Sequence, residues 1–144
     1  MEHFLTPVLA LILWTFVIWA WMYKRRIPAM MAITRNTQEF IDNPKLKEKI
    51  PPRARWAADN YNHLHEQPVI FYALMFYLNE IGLVKPWLLV LAWIYVATRI
   101  LHSLVQVSSN KVMLRFPLFA VGTLILIGMG IYAAGYAIGT EMAK

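Results

Sequence analysis

Long apolar segments alternate with short polar ones along this chain. Residues 4–23 contain no charged side chain, and residues 116–138 contain none either. About 20 consecutive apolar residues are enough to cross the hydrocarbon core of a bilayer as a helix. Both segments are therefore predicted to be transmembrane helices.

Two middle segments, 57–79 and 86–107, are apolar in the halves nearer the Asn79–Lys85 turn and polar in the other halves. Two spanning helices flank them, and backbone exposed to lipid must satisfy its own hydrogen bonds, so both are predicted to be helical spans. The predicted fold class is all-α: an integral membrane four-helix bundle in one domain, residues 1–144, with a polar loop at 24–55.

Positive charge is concentrated in two loops. The net charge is +6, and eleven of the fourteen Lys and Arg residues lie in or next to the loops that follow the first and third spans. Membrane proteins keep such loops in the cytoplasm. We therefore predict a multi-pass protein of a bacterial inner membrane with both basic loops cytoplasmic and both termini on the other side. The partner is the lipid bilayer rather than nucleic acid.

The densest polar stretch is "ADNYNHLHEQP", residues 58–68, directly before an uncharged run. At about 100° per residue, a continuous helix places four polar side chains in one narrow stripe: Arg55, Asp59, Asn62 and Glu66. The third span carries a similar stripe: Arg99, His102, Ser103, Gln106 and Asn110. Both stripes are expected to face each other or a subunit interface, and Pro68 is expected to kink its helix.

Ionisable groups at membrane depth are costly, so they are usually paired or functional. One interpretation is structural: pairs such as Glu66 with Arg99, or Asp59 with Arg115, hold the bundle together. The other is a pocket of cationic donors for a small anionic ligand, since arginine binds carboxylates in a bidentate manner. No metal site is predicted, because His63 and His65 point to different sides of a helix. A haem between His63 and His102 is conceivable but disfavoured.

The sequence resembles the MAPEG family, membrane-associated proteins in eicosanoid and glutathione metabolism. The resemblance covers nearly the whole chain. In the second helix it rests on "NYNHLHEQP", which offers Asn62, Glu66 and Pro68, and in the third on "RILHSLVQ", which offers Arg99 and His102. The family's arginine near the start of helix four falls on Arg115, and the one at the end of helix one matches Arg25 or Arg26.

The resemblance implies a homotrimer that binds glutathione as co-substrate between subunits, and a small lipophilic second substrate. The implied activity is that of a glutathione-dependent transferase or peroxidase acting on lipophilic electrophiles. Arg115 would be the catalytic residue that activates the thiol. The implied glutathione-binding residues are Arg26, Asn62, Glu66, Arg99, His102 and Gln106.

Several positions depart from the family pattern. Ala58 replaces an arginine, Gln106 replaces a tyrosine, and Phe116 replaces a serine. The spacing from Asn62 to Glu66 is also one residue longer than the family's Asn-x-x-Glu. These departures favour a second hypothesis, in which the chain is a non-catalytic protein of the same fold: a trimeric scaffold, a small-ligand binder or an accessory subunit of a larger membrane complex.

Overall fold

The computed structural model describes residues 3–143, and within that range every regular element is helical. Six α-helices follow one another along the chain, with a short 3-10 helix at Pro44–Lys49 after the second. Their bounds are α1 Thr6–Met31, α2 Glu39–Asp42, α3 Pro52–His63, α4 Gln67–Glu80, α5 Pro86–Ser108 and α6 Val112–Met142. The predicted all-α class is therefore confirmed for the described residues.

Three helices, α1, α5 and α6, are long and apolar enough to cross a membrane. Their outward surfaces are strongly apolar, and side chains such as Phe16, Leu124 and Ile131 are 60–68% exposed on the isolated chain. Such surfaces suit hydrocarbon rather than water. The protein is accordingly an integral membrane protein.

The segment predicted as one helix over 57–79 is divided into two helices, α3 and α4, which together are called the broken leg of the bundle. α3 ends at His63 and α4 begins at Gln67. Pro68 explains the division, because it has no N–H and its ring conflicts with the carbonyl of Leu64 one turn earlier. The intervening N–H groups of His65 and Glu66 bond back only three residues, and Glu66 has φ −97° and ψ −96°. The expected kink is therefore a break.

The break changes which side chains share a face. The predicted stripe assumed continuous helix from Arg55 to Glu66, but α3 stops three residues before Glu66. Gln67 and Pro68 instead occupy the first two positions of α4, where a missing N–H costs nothing. The position of Glu66 thus follows from the break and not from helical periodicity.

α5 lies at the centre of the bundle, packed against α1, α3 and α6. Tyr95 is fully buried there and stacks on Phe71 of α4 with ring centroids 4.5 Å apart. Met75 and Met129 are also fully buried in the same core. Because lipid tails are as apolar as these side chains, the core holds together through close van der Waals packing and hydrogen bonds more than through the hydrophobic effect.

The polar loop between α1 and α3 is folded against the bundle. Phe40 and Ile50 are buried together with Ala54 of α3, and Met30 and Ile33 pack against them. α1 itself continues to Met31, well past the predicted end of its span at residue 23. This small cluster ties the loop to the end of α1 and the start of α3.

Candidate functional site

The polar face of α5 is buried inside the chain. Arg99, His102, Ser103 and Gln106 are each at most 6% exposed. The fifth member of the predicted stripe, Asn110, follows the helix and has a positive φ of 51°. The expectation that this stripe avoids lipid is confirmed for the four helical members.

Asn60 is the partner that α3 contributes to this face, and sequence reasoning missed it. Its side chain is fully buried, and its Oδ1 accepts a hydrogen bond of 2.9 Å from Ser103 Oγ. Its amide also donates to the Ser103 carbonyl at 3.5 Å. The available signal was the position of Asn60 between Ala57 and Leu64, which are both buried on the inner side of the same leg.

Arg99 is a buried cation without a carboxylate partner among the described residues. Its guanidinium lies over two rings, 5.4 Å from the centroid of Tyr95 and 5.1 Å from that of Phe119. One Nη donates to the Phe119 carbonyl at 3.4 Å, and Nε has no hydrogen-bond partner. Cation–π contacts of this kind compensate part of the cost of burying the charge.

Gly122 of α6 provides the space that Arg99 occupies. A Cβ at this position would lie 2.9 Å from an Nη of Arg99 and 3.3 Å from Thr98 Oγ1. Real Cβ atoms do not approach side chains that closely without displacing them. The absence of a side chain at Gly122 therefore fixes the position of the guanidinium.

The predicted pair between Glu66 and Arg99 does not form within the chain. Glu66 is 62% exposed, and its Oε2 lies 3.0 Å from His63 Nδ1. The break before α4 turns Glu66 outward, whereas Arg99 is enclosed between α5 and α6. The alternative pair of Asp59 with Arg115 is not formed either: Asp59 is exposed, and Arg115 donates to Asn110 Oδ1.

A small cavity of about 140 Å³ brings three nitrogen-bearing side chains together at one end of the bundle. His63 comes from the last turn of α3, His102 from α5 and Arg115 from the first turns of α6. The two imidazole centroids are 6.0 Å apart. The full lining is His63, His102, Val112, Arg115, Phe116 and Phe119, which includes no carboxylate.

Arg115 has a hydrogen-bond donor left for a further partner. One Nη donates to Asn110, whose positive φ closes the turn before α6, and Nε is buried without a partner. A buried, unpaired guanidinium N–H favours an acceptor that carries negative charge. The chemistry of this cavity therefore favours an anionic ligand.

The other predicted site residues lie apart from this cavity. Arg26 lines a separate cavity of about 150 Å³ with Lys47, Arg55 and Asp59, between α1 and α3. Asn62 and Glu66 are exposed outside the cavity, and of the two only Glu66 contacts a lining residue, His63. Gln106 is 2% exposed on the buried face of α5, and its Oε1 has no partner. One chain thus assembles only His102 and Arg115, with Arg99 behind them.

A second, partly buried polar group lies at the break. Gln67 donates to Thr123 Oγ1 of α6 at 2.7 Å and accepts from the Tyr95 hydroxyl at 3.5 Å. Thr123 in turn donates to the Phe119 carbonyl, the acceptor that Arg99 also uses. These bonds connect the first turn of α4 to the arginine, which the sequence pattern did not indicate.

No metal-binding cluster occurs among residues 3–143, where no three His, Asp or Glu side chains come together suitably. Comparison with characterised proteins and comparison with solved structures each found no match. A protein-family model does match: the MAPEG family, over residues 4–135. That match spans nearly all of the helical bundle and both faces described above. The chain therefore belongs to the MAPEG family.

Proposed function

We propose that this protein is a glutathione-dependent transferase or peroxidase that acts on lipophilic electrophiles. The observation that carries the proposal is the cavity lined by His63, His102 and Arg115. Its lining contains no carboxylate, and Glu66 contacts His63 from outside it. The family to which the chain belongs is generally associated with glutathione, which agrees with the chemistry of these groups.

Arg115 has the central role in this chemistry. A free thiol has a pKa near 8.5, and an adjacent cation lowers it and so increases the thiolate fraction. The guanidinium stays charged at any relevant pH and can donate its free N–H to the sulfur. The thiolate then forms a bond to the electrophilic carbon, and the leaving group departs with the bonding electron pair. For a hydroperoxide substrate, the thiolate attacks the terminal oxygen, the O–O bond breaks, and the alkoxide leaves and takes up a proton. The sulfenic acid that forms then condenses with a second glutathione thiol to give the disulfide and water.

His102 orients the thiol in this proposal, and Arg99 supplies a fixed charge behind it. Arg99 itself is enclosed by Tyr95, Phe119 and Gly122, so in this proposal it does not contact glutathione directly. Gln106 is given no ligand contact in this proposal, because it is 2% exposed and does not line the cavity.

The cavity is too small for a complete glutathione molecule. Sites for drug-sized ligands usually measure about 300–1,000 Å³, whereas this one measures about 140 Å³. Only the thiol end fits, so the rest of the tripeptide must contact other surfaces. We propose that a neighbouring subunit of a homotrimer supplies these surfaces through Arg26, Asn62 and Glu66. The proposed orientation places both basic loops on the cytoplasmic side of a bacterial inner membrane.

The exposed face of the broken leg supports an assembly. The break lies beside the apolar part of α1, because Tyr61 and His65 line a cavity with Thr15 and Trp19. Irregular backbone and ionisable groups are not tolerated against lipid at that depth. A protein surface has to cover them, and in this proposal another subunit of the same chain provides that surface.

A non-catalytic role is the second candidate, and a specific observation favours it. One Nη of Arg115 is already taken by Asn110, and Gln106 stands where the resemblance predicts a tyrosine. In that case the cavity binds a small anion without turnover, and the protein serves as a trimeric scaffold, a small-ligand binder or an accessory subunit.

Conjugation of a lipophilic aryl halide with glutathione distinguishes the two candidates. We expect Arg115→Ala to lose one charge-assisted hydrogen bond to the thiolate, roughly 1.5–3 kcal/mol. That corresponds to a rate about tenfold to more than a hundredfold lower. Lys111→Ala is the matched control, because it removes a cation from the same turn but not from the cavity, and its rate should stay close to that of the wild type.

Two outcomes would decide against catalysis by Arg115. Equal rates for the wild type and Arg115→Ala, at matched folded protein, would remove this residue from the mechanism. Glutathione binding in calorimetry without any conjugation or peroxide reduction would favour the non-catalytic candidate.

A further inference from the structure

A groove between α1, α3 and α5 lies at the same end of the bundle as the basic loop. Its volume is about 360 Å³, and it is separate from the cavity that contains Arg115. Its lining consists of Trp21, Arg25, Arg53, Leu104, Val107 and Ser108. The proposed function uses none of these six residues.

Two cations from different helices converge on this groove. Arg25 lies in the second half of α1, and Arg53 lies in the first turn of α3. Within residues 3–143 neither side chain forms an ion pair or a hydrogen bond, and no lining residue is acidic. Arg25 instead lies over the ring of Trp21, 4.8 Å from its centroid, which restrains the guanidinium. Both side chains are exposed, so this pair is accessible to an anionic group.

The opposite wall of the groove is apolar. Leu104 and Val107 of α5 form it, and Leu104 is 46% exposed on a surface of the bundle that also exposes Leu101. A free inorganic anion gains nothing from such a wall, whereas an acyl chain packs against it. Tryptophan also prefers the level of lipid headgroups. The two cations match the anionic headgroup of a phospholipid, and the apolar wall matches its acyl chains.

We propose that this groove binds an anionic phospholipid whose phosphate lies between Arg25 and Arg53 and whose acyl chains follow Leu104 and Val107. Arginine can donate two parallel hydrogen bonds to a phosphate. Basic pockets between transmembrane helices on the cytoplasmic side are known to take anionic headgroups. The proposal is independent of the thiol chemistry.

Native mass spectrometry of the detergent-purified protein, titrated with phosphatidylglycerol, tests the proposal. We expect saturable binding that exceeds binding of phosphatidylcholine with the same acyl chains. Arg25→Gln with Arg53→Gln should weaken binding of phosphatidylglycerol about thirtyfold, the effect of two cations near a lipid surface. The matched control, Lys24→Gln with Arg35→Gln, removes two charges from the same region outside the groove and should change binding less than twofold.

A second variant does not depend on the arginines. Leu104→Trp should fill the groove from the exposed side and weaken phosphatidylglycerol binding while both cations remain. Equal losses of phosphatidylglycerol binding in the two double variants would show that the attraction is diffuse and would overturn the site. Inorganic phosphate or glutathione displacing the lipid at equal concentration would assign the groove to a soluble anion, and a lipid-independent contact of Arg25 with a second copy in cross-linking would assign it to an interface.

Discussion

The polar faces of α3 and α5 have similar compositions but opposite surroundings. On α5 the polar side chains point into the bundle, where Ser103 binds Asn60 and Arg99 lies between two rings. On the broken leg, Asp59, Asn62 and Glu66 point outward from the chain. The first face is buried by the fold of one chain, and the burial of the second depends on what surrounds the chain. Polar composition alone therefore does not tell which face forms a site.

The contrast is sharpest around Arg99, and Gly122→Ala is the substitution that should affect it most. The new Cβ would lie 2.9 Å from an Nη of Arg99, so the guanidinium or α6 must move. Overpacking typically costs about 1–3 kcal/mol, and we expect the lower end of that range relative to an unhindered alanine, because the guanidinium ends a flexible side chain that can shift. Unfolding by denaturing detergent, followed by circular dichroism, measures the loss.

Gly128→Ala is the control for this prediction, because no atom lies within 4 Å of a Cβ built there. It should be neutral or stabilise the helix by up to about 1 kcal/mol, since alanine is the better helix former. Equal stabilities of the two alanine variants would show that Arg99 is not tightly enclosed.

The neighbouring asparagines of α3 provide the next test, with a smaller effect. Asn60→Ala leaves the buried Ser103 hydroxyl without its partner, whereas Asn62→Ala removes an exposed amide. Hydrogen bonds between transmembrane helices average about 0.6 kcal/mol and reach about 1.7. We expect Asn60→Ala to lose stability in that range and Asn62→Ala to lose almost none in the monomeric chain.

A double-mutant cycle with Ser103→Ala separates the hydrogen bond from other effects of truncation. Coupling between positions 60 and 103 is expected, and none between positions 62 and 103. A coupling free energy near zero for the first pair would contradict the bond.

Much of this architecture was predictable from sequence, because it depends on local pattern. The uncharged runs in α1 and α6 and the period of the α5 face identify membrane helices and a buried polar stripe. The polar half of the second leg was not predictable in the same way. Pro68 can kink a helix or end it, and the break turns Glu66 away from α5. The packing of α3 against α1 and α5 decides that Asn60, rather than Asn62, faces inward.

The site residues divide along the same line. His102 and Arg115 were identified by resemblance, and the structure brings them together. His63 completes their cavity and was considered only as a metal ligand. Gln67 contacts α6, and Gly122 of α6 contacts α5, and no spacing along the sequence reveals either contact. Their positions depend on how two distant helices pack.

The outer face gives the smallest expected effect within one chain. Glu66→Gln weakens the contact with His63, three residues earlier in the chain. The side chain of Glu66 is 62% exposed and that of His63 is 39% exposed. Exposed pairs of this kind contribute about 0.2–1 kcal/mol, so unfolding of the monomeric chain should hardly change. If a neighbouring subunit covers Glu66, the same substitution removes a charge from the interface, and the dissociation of the assembly should change more than the unfolding of the chain. Sedimentation in detergent, with Glu39→Gln of the exposed loop as control, measures that difference. Unchanged dissociation together with unchanged unfolding would show that the face of Glu66 is not an interface, and the two polar faces would then differ in exposure alone.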